Sequence, residues 1–186
     1  MAAGITMSGS NVINLAGMAL ALLFTLLAAS CDDKPADPNK VSVALSGKTY
    51  VLEIAADRAT RVKGMSGRDK IPEGTGMLFV FPDREVQVQE FVMRDCSIPI
   101  DIIFLDRSGR ITAMHAMKVE EPRKPSEPKP ASPLQRDPYE DRLKRYSSRY
   151  AAQFVIEIAG GELEKLKLKD GDKVELDLEA LKKRAS

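Results

Sequence analysis

The stretch "IDIIFLDRSGRITAMHAM" (residues 100–117) is the clearest indication of fold class in this chain. Its first part, IDIIFL, is apolar at both odd and even positions, as in a strand that is covered on both sides. DRSG has the composition of a tight turn, and RITAMHAM follows it as a second β-forming run. We therefore predict a β-hairpin over this stretch.

One acidic residue, Asp101, interrupts the apolar run of this hairpin. A buried carboxylate costs several kcal/mol unless a cation or hydrogen-bond donors meet it. We expect Arg61, Arg68 or Arg94 to neutralise Asp101 in a buried ion pair at the strand junction. Alternatively, the same four residues line a polar pocket for an anionic or hydroxyl-rich ligand, since arginine offers forked donors and aspartate accepts.

Short strands are also predicted on both sides of this hairpin. VSVAL and KTYVLEI (41–45 and 48–54) alternate on either side of Ser46-Gly47, which predicts another hairpin. ADRATRVKG (56–64) predicts a short helix with Asp57 as its N-cap and Gly64 as its end.

Three later runs complete the predicted β pattern. VQVQEFVM (86–93) changes phase near Gln89 and Glu90, which predicts a bulge. FVIEIA (154–159) and KVELDL (173–178) alternate as strands do. Strands and turns thus dominate, so we predict a mainly β fold, a single sandwich or barrel with one or two short helices.

The segment at residues 121–138, EPRKPSEPKPASPLQRDP, is rich in proline. Proline lacks the N–H that a sheet ladder needs, so we expect this proline-rich insertion to be extended and solvated. Its P-x-x-P spacing could instead dock a partner.

Composition limits the classes of function. The chain has 186 residues, of which 44% are hydrophobic, enough for one domain with a core. Lys+Arg 28 against Asp+Glu 27 gives a formal net charge of +1, and aromatic residues make up only 5% with no Trp. Nucleic-acid binding calls for a basic face, so this balance argues against a nucleic-acid partner.

The N-terminal region predicts export. Residues 1–30 contain no charged side chain, and their apolar core suits a signal peptide better than a membrane-spanning helix. LAASC, which ends at Cys31, resembles the lipobox of bacterial lipoproteins, and this resemblance implies a lipidated cysteine and a membrane-anchored, extracytoplasmic protein. The alternative is an uncleaved anchor or a mis-assigned start. With lipidation at Cys31, residues 31–40 are predicted to form a polar tether between the membrane and the domain.

With Cys31 acylated, Cys96 would be left without a disulfide partner. We expect it to be a small buried hydrophobe, with a reactive thiol as the alternative.

Four motifs follow one another along the chain: RVKGMSGR (61–68), GMLFVF (76–81), FVMRDCSIPIDIIFLDRSGRI (91–111) and YAAQFVIEIAGG (150–161). Together they resemble the bacterial and archaeal family called domain of unknown function 192. The resemblance covers most of residues 41–178, outside the proline-rich insertion, with 179–186 as a tail. It implies a compact, mainly β, jelly-roll-like domain, often exported, whose biochemical role is not established. It also places the family's basic position on Arg94 and its acidic position on Asp101.

Metal and enzyme chemistry receive less support. His115 lies among methionines, and thioether and imidazole ligands favour Cu(I), so Met93, His115 and Met117 form an alternative copper set. Core packing is the simpler interpretation of these residues. G-x-S-x-G, H-E-x-x-H and C-x-x-C motifs are all missing from the sequence, so we assign no catalytic residue and no cofactor.

The sequence therefore predicts an envelope lipoprotein that acts as a binding or structural module rather than an enzyme. Its expected partners are the membrane, through the lipid, and an envelope protein or a small polar ligand. The sequence does not indicate an oligomeric state.

Overall fold

The computed structural model of the chain describes residues 37–132 and 135–186. The predicted signal peptide at 1–30, the predicted lipidation site at Cys31 and most of the predicted tether lie outside the described residues. Within the described ranges, no helix has the length and apolar character that crossing a bilayer requires.

Eight strands and four short α-helices follow one another along the described residues. The strands are β1 (Lys40–Leu45), β2 (Lys48–Ala55), β3 (Thr75–Val80), β4 (Gln87–Phe91), β5 (Ile100–Leu105), β6 (Ile111–Met117), β7 (Tyr146–Ala152) and β8 (Phe154–Ala159). The helices are α1 (Arg58–Lys63), α2 (Pro138–Arg142), α3 (Leu163–Leu166) and α4 (Leu178–Lys182), and a single 3-10 turn spans Asp83–Glu85. The predicted mainly β class is confirmed, but the predicted one or two helices were too few.

Six strands form one mixed sheet in the order β1-β2-β3-β8-β5-β6. Within it, β2 and β3 are parallel, and the other neighbouring strands are antiparallel. The described strands β4 and β7 form a second, antiparallel sheet, and Tyr146 and Ala152 of β7 pack into the same core as Phe104 of β5. The architecture is therefore sandwich-like, and the described strands do not close into a barrel.

Most local predictions are confirmed. β1 and β2 pair through a two-residue turn at Ser46 and Gly47, whose φ angles of 49° and 83° are those of a tight hairpin turn. β5 and β6 form the second predicted hairpin. Asp57 caps α1 by accepting a hydrogen bond from the Thr60 amide at 2.9 Å. The register of β4 shifts between Val88 and Glu90, where the bulge was predicted.

The large sheet has a different cover on each face. One face, here called the helix face, packs against side chains from α3, α4 and the segment before α4, such as Leu163, Leu166 and Leu181. The opposite face, here called the cavity face, packs against the β4–β7 sheet and the chain that follows α1, including Met65 and Ile71.

Two predictions about the C-terminal region are wrong. KVELDL forms no strand with any part of the chain that the structure describes, and its one bridge there joins Lys173 to Arg110. The segment lies across the β5–β6 turn, and its apolar side chains pack on the helix face. The supposed tail at 179–186 is part of the fold, since Leu181 is buried and the Ser186 amide donates to the carbonyl of Ala56.

In its described part, the proline-rich insertion forms no strand, as predicted, and most of it is exposed. It packs against Tyr139, whose ring contacts the guanidinium groups of Arg123 and Arg142 at 4.5 and 4.9 Å. Arg123 also binds Asp137 through two hydrogen bonds, and Arg142 binds Glu127. These contacts fix the two ends of the insertion against each other.

Candidate functional site

A cavity of about 250 Å³ lies on the cavity face, between α1, β3 and β4. Side chains of α1 and of the turn after it form its roof, and three phenylalanines form a wall. Glu157 of β8 and Cys96 lie at its inner end, where both are buried. The lining residues are Arg58, Arg61, Val62, Lys63, Gly64, Met65, Ser66, Phe79, Phe81, Glu85, Gln89, Glu90, Phe91, Val92, Arg94, Cys96 and Glu157.

The aromatic wall is held together by edge-to-face contacts. The ring of Phe91 lies 5.1 Å from that of Phe79 and 6.5 Å from that of Phe81, with interplanar angles of 89° and 82°. Phe104 supports Phe91 from behind at 5.6 Å. This packing gives the cavity a rigid apolar side against which the carbon skeleton of a small molecule could lie.

Glu157 is the most unusual group in this cavity. It lies in the middle of β8, between Met77 of β3 and Ile102 of β5, and only 5% of it is exposed. Its Oε2 atom has no hydrogen-bond partner among the described residues. Burial raises the pKa of Glu157 to about 8, against the opposing effect of the Arg68 charge. At neutral pH the carboxyl group is therefore mostly protonated and able to donate as well as accept a hydrogen bond.

Cys96 is buried in the apolar core of the cavity face, as predicted. Burial, followed by the nearby charge of Glu157, raises the pKa of its thiol to about 11. The Sγ atom donates a weak hydrogen bond to the carbonyl of Arg94 at 3.4 Å. A thiol that stays protonated is a poor nucleophile, so Cys96 contributes packing and polarizability to the cavity rather than reactivity.

Arg61 lines the cavity, but most of its donors are used to hold the fold. Its Nη1 donates to the carbonyls of Ala56 and Val80 at 2.6 and 3.2 Å. Its Nη2 donates to Glu85 Oε2 at 2.9 Å and to the carbonyl of Ser186 at 3.0 Å. Arg61 therefore joins α1, β3 and the C-terminal residues.

The other two predicted arginines also have acidic partners, and neither partner is Asp101. Arg68 forms two hydrogen bonds with Glu53, at 2.9 and 2.6 Å, and lines a neighbouring hollow rather than this cavity. Arg94 Nε lies 3.0 Å from Glu140 Oε1 of α2, an ion-pair distance without hydrogen-bond geometry. The ion pairs are thus distributed around the cavity instead of converging in it.

The predicted ion pair between Asp101 and an arginine is wrong. Asp101 is 1% exposed, and its Oδ2 accepts a hydrogen bond from the amide of Leu163 at 2.7 Å. Burial raises its pKa, while the amides of the turn between β8 and α3 lower it. The physical reason lies in the register of β5 and β8, where Asp101 is paired with Ile158 and Ile102 is paired with Glu157. Paired residues place their side chains on the same face of a sheet, and successive residues alternate between faces. Asp101 therefore points to the helix face, away from the cavity. The structure therefore brings Arg61 and Arg94 to one cavity but leaves Asp101 out.

Next to Asp101, Glu162 is the centre of a fully paired network. Its carboxylate accepts from Tyr50 Oη at 2.6 Å, from Lys48 Nζ at 2.7 Å and from Lys165 Nζ at 2.7 Å. The hydrogen bond from Lys165, followed by those from Lys48 and Tyr50, lowers the pKa of Glu162 to about 2. Acidic groups on the helix face thus have donors around them.

Of the alternative copper set, Met93 and Met117 belong to the core of the cavity face, and His115 is partly buried beside it. Met93 and Met117 are 1% and 2% exposed. The His115 ring lies edge-on to Phe104 at 6.0 Å, near Tyr146, and its Nε2 hydrogen-bonds the Ser147 carbonyl at 2.8 Å. In the described part of the chain, no group of three or more His, Cys, Asp or Glu side chains could hold a metal ion. Copper binding through methionine stays a prediction.

Sequence reasoning missed Glu157, although a signal for it was present. The alternation of FVIEIA predicts a strand, and the structure shows that β8 lies between β3 and β5 and is buried over nearly its whole length. The signal is an acidic residue within an apolar run, the same pattern that surrounds Asp101.

Comparison with known proteins confirms the family resemblance. The family model DUF192, described as an uncharacterized ACR, matches residues 41–176. The chain belongs to this family. No curated protein matches it.

Two solved structures resemble this DUF192 chain. One is a protein of unknown function from Novosphingobium aromaticivorans, with 27% identity, a TM-score of 0.54, and coverage of 74% of this chain and 84% of that one. The other, from Sinorhizobium meliloti, is described as "a putative transcription regulator"; it has 26% identity, a TM-score of 0.52, and coverage of 73% of this chain and 91% of that one.

Proposed function

We propose that this DUF192 protein is a lipid-anchored, extracytoplasmic domain that binds a small organic ligand in the cavity over Glu157. The observation that supports binding is the buried Glu157 carboxyl group, whose Oε2 lacks a hydrogen-bond partner among the described residues. Buried polar groups are nearly always hydrogen-bonded, and an exception inside a cavity indicates a missing partner. Apolar walls with a few polar groups are typical of small-molecule sites.

Binding is favoured over catalysis by the state of the titratable groups. Cys96 and Glu157 both have raised pKa values and are mostly protonated at neutral pH. A nucleophilic mechanism needs a base within hydrogen-bond reach of the nucleophile. The Cys96 thiol donates to the carbonyl of Arg94 and lies beside the hydroxyl of Ser66, and neither group is a base that could activate it.

The binding proposal can be tested by thermal shift on the purified full-length chain. The panel should contain primary amines, carboxylates, ω-amino acids, sugars and neutral aromatic compounds. We expect at least one class to raise the melting temperature of the wild type, and to raise that of Glu157→Gln much less. Glu73→Gln is the matched control, since its side chain is 84% exposed and does not line the cavity. Failure of every class, or equal shifts in wild type and Glu157→Gln, would contradict cavity binding.

Membrane anchoring is supported by the uncharged residues 1–30 and the LAASC motif. It is tested in cells by labelling with a palmitate analogue and by fractionation. We expect Cys31→Ser to lose both the label and membrane association, whereas Cys96→Ser, the matched control, should keep both. Labelling that persists in Cys31→Ser would contradict lipidation at this residue.

A further inference from the structure

The charged groups that line the cavity fall into paired and unpaired sets. Arg61 pairs with Glu85, Arg94 lies beside Glu140, and Glu90 lies 3.9 Å from Arg145. Two cations remain at the rim, Arg58 and Lys63 of α1. Both are exposed, and neither has an ion-pair or hydrogen-bonding side-chain partner among the described residues.

At the inner end of the cavity the unpaired group is an acid. The charged and titratable groups near Glu157 are Arg68 and Cys96, and Arg61 and Arg94 line the same cavity. Arg68 already binds Glu53 through both of its terminal nitrogens, so it leaves the Glu157 carboxyl without a direct partner. A cation brought in by a ligand would satisfy the carboxylate form of this group.

The cavity therefore has an unpaired carboxyl group at its inner end, two unpaired cations at its rim and an apolar wall between them. A ligand with only a cation would meet the repulsion of the rim, and one with only an anion would leave Glu157 unsatisfied. A ligand that has both charges separated by an apolar body would match every part of the cavity.

We infer that the ligand is bifunctional, with a primary amine that pairs with Glu157, an apolar body against Phe79, Phe81 and Phe91, and a carboxylate or phosphate that pairs with Arg58 and Lys63. This inference rests on the proposed function and specifies its ligand class. Such a ligand enters with its amine protonated, and Glu157 loses its proton on binding. The buried end of the complex is then an ammonium–carboxylate pair.

Titration calorimetry on the full-length chain tests this class with defined probes. The probes are 4-aminobutanoate, 6-aminohexanoate, 8-aminooctanoate and 4-(aminomethyl)benzoate, each compared with the matching amine and the matching carboxylate. We expect the best amino acid to bind at least about tenfold more tightly than either of its monofunctional counterparts, because both ends of the cavity contribute.

Two sets of variants test the contribution of each end of the cavity to the affinity separately. Glu157→Gln should abolish the gain that the amine provides, and Arg58→Gln with Lys63→Gln should abolish the gain that the carboxylate provides. Arg84→Gln is the matched control, because Arg84 is 70% exposed and does not line the cavity.

Proton release gives a second, independent readout. Since the pKa of Glu157 is about 8, binding of an ammonium group at pH 7 should release close to one proton, measured from the dependence of the heat on the buffer. The affinity should rise by up to about tenfold for each pH unit between pH 6 and 8 and then level off.

Three outcomes would overturn the inference. They are a carboxylate that binds as tightly as its amino acid, an amine gain that survives in Glu157→Gln, and binding without proton release. If compounds of another class still bind in a Glu157-dependent way, the ligand class is wrong and the proposed binding function stands. If no compound of any class binds, both fail.

Discussion

Asp101 and Glu157 are two buried acids on neighbouring strands that face opposite sides of one sheet. Asp101 meets a backbone amide of the turn before α3, and its hydrogen bond is made within the fold. Glu157 meets a cavity, and one of its oxygens has no partner among the described residues. Burial therefore does not distinguish these two acids, whereas the state of their hydrogen bonds does.

The largest effect should come from the pH dependence of stability that Glu157 creates. Its pKa is raised from 4.5 to about 8, so the folded protein retains a proton that the unfolded chain has released in this pH window. The free energy of unfolding should therefore fall by a few kcal/mol as pH rises through the window, at up to about 1.4 kcal/mol per unit, and then level off.

Denaturant titrations at half-unit pH steps measure this slope. Glu157→Gln keeps the shape of the side chain but does not titrate, so it should remove most of the decline. Asp101, whose pKa is also raised, gives a slope of the same sign, which should persist in this variant. A decline of equal size in both proteins would mean that Glu157 is not the group responsible.

On the helix face, two replacements of Asp101 should show whether its hydrogen bond or its charge contributes more to the free energy of unfolding. Asp101→Leu removes the acceptor for the Leu163 amide and should reduce the free energy of unfolding by about 3 kcal/mol, because a buried donor loses its partner. Asp101→Asn keeps an acceptor oxygen and should cost less than about 1 kcal/mol. Equal, large losses in both variants at pH 7 would instead indicate that a charged partner stabilises Asp101.

Two tyrosines permit a matched comparison of the hydrogen bonds on the helix face with those beside the cavity. Tyr50 donates to the Glu162 carboxylate at 2.6 Å, and Tyr139 accepts from the Asp95 amide at 3.0 Å, in the turn that lines the cavity. Tyr50→Phe should cost about 2 kcal/mol because its partner is charged, and Tyr139→Phe about 1 kcal/mol. Thermal and chemical denaturation measure both, and the reverse order would contradict this assignment of hydrogen-bond strengths.

The smallest effect is expected for the ion pair between Arg68 and Glu53, which is partly exposed. A double-mutant cycle with Arg68→Gln and Glu53→Gln should give a coupling energy below about 1 kcal/mol. A coupling of several kcal/mol would contradict the small value expected of a partly exposed pair. An action of Arg68 on the buried Glu157 would appear instead as a loss of stability in Arg68→Gln that is the same with and without Glu53.

Features that depend on a few adjacent residues could be predicted from the sequence. The turn at Ser46-Gly47 needs positive φ angles, the cap at Asp57 needs an acceptor three residues before Thr60, and the bulge near Gln89 follows from a change of alternation. Each of these is determined by local geometry, which the residue types express directly.

Features that depend on strand order could not be predicted in this way. The partner of Asp101 is a backbone amide at position 163, and it lies nearby only because β5 and β8 are neighbours. The burial of Glu157 depends on β3 and β5 covering both edges of β8. KVELDL alternates as a strand does, but helix-face packing rather than a strand partner accounts for its pattern.

The parallel arrangement of β2 and β3 links the shape of the cavity to the topology of the sheet. Parallel neighbours need a crossover, because a tight turn reverses the direction of the chain. Here the crossover is residues 56–74, which include α1 and the roof of the cavity. A change in the length of this segment would disturb strand pairing and access to the cavity together. Under the proposed function, relatives that bind different ligands should therefore differ in the side chains of the crossover more than in its length.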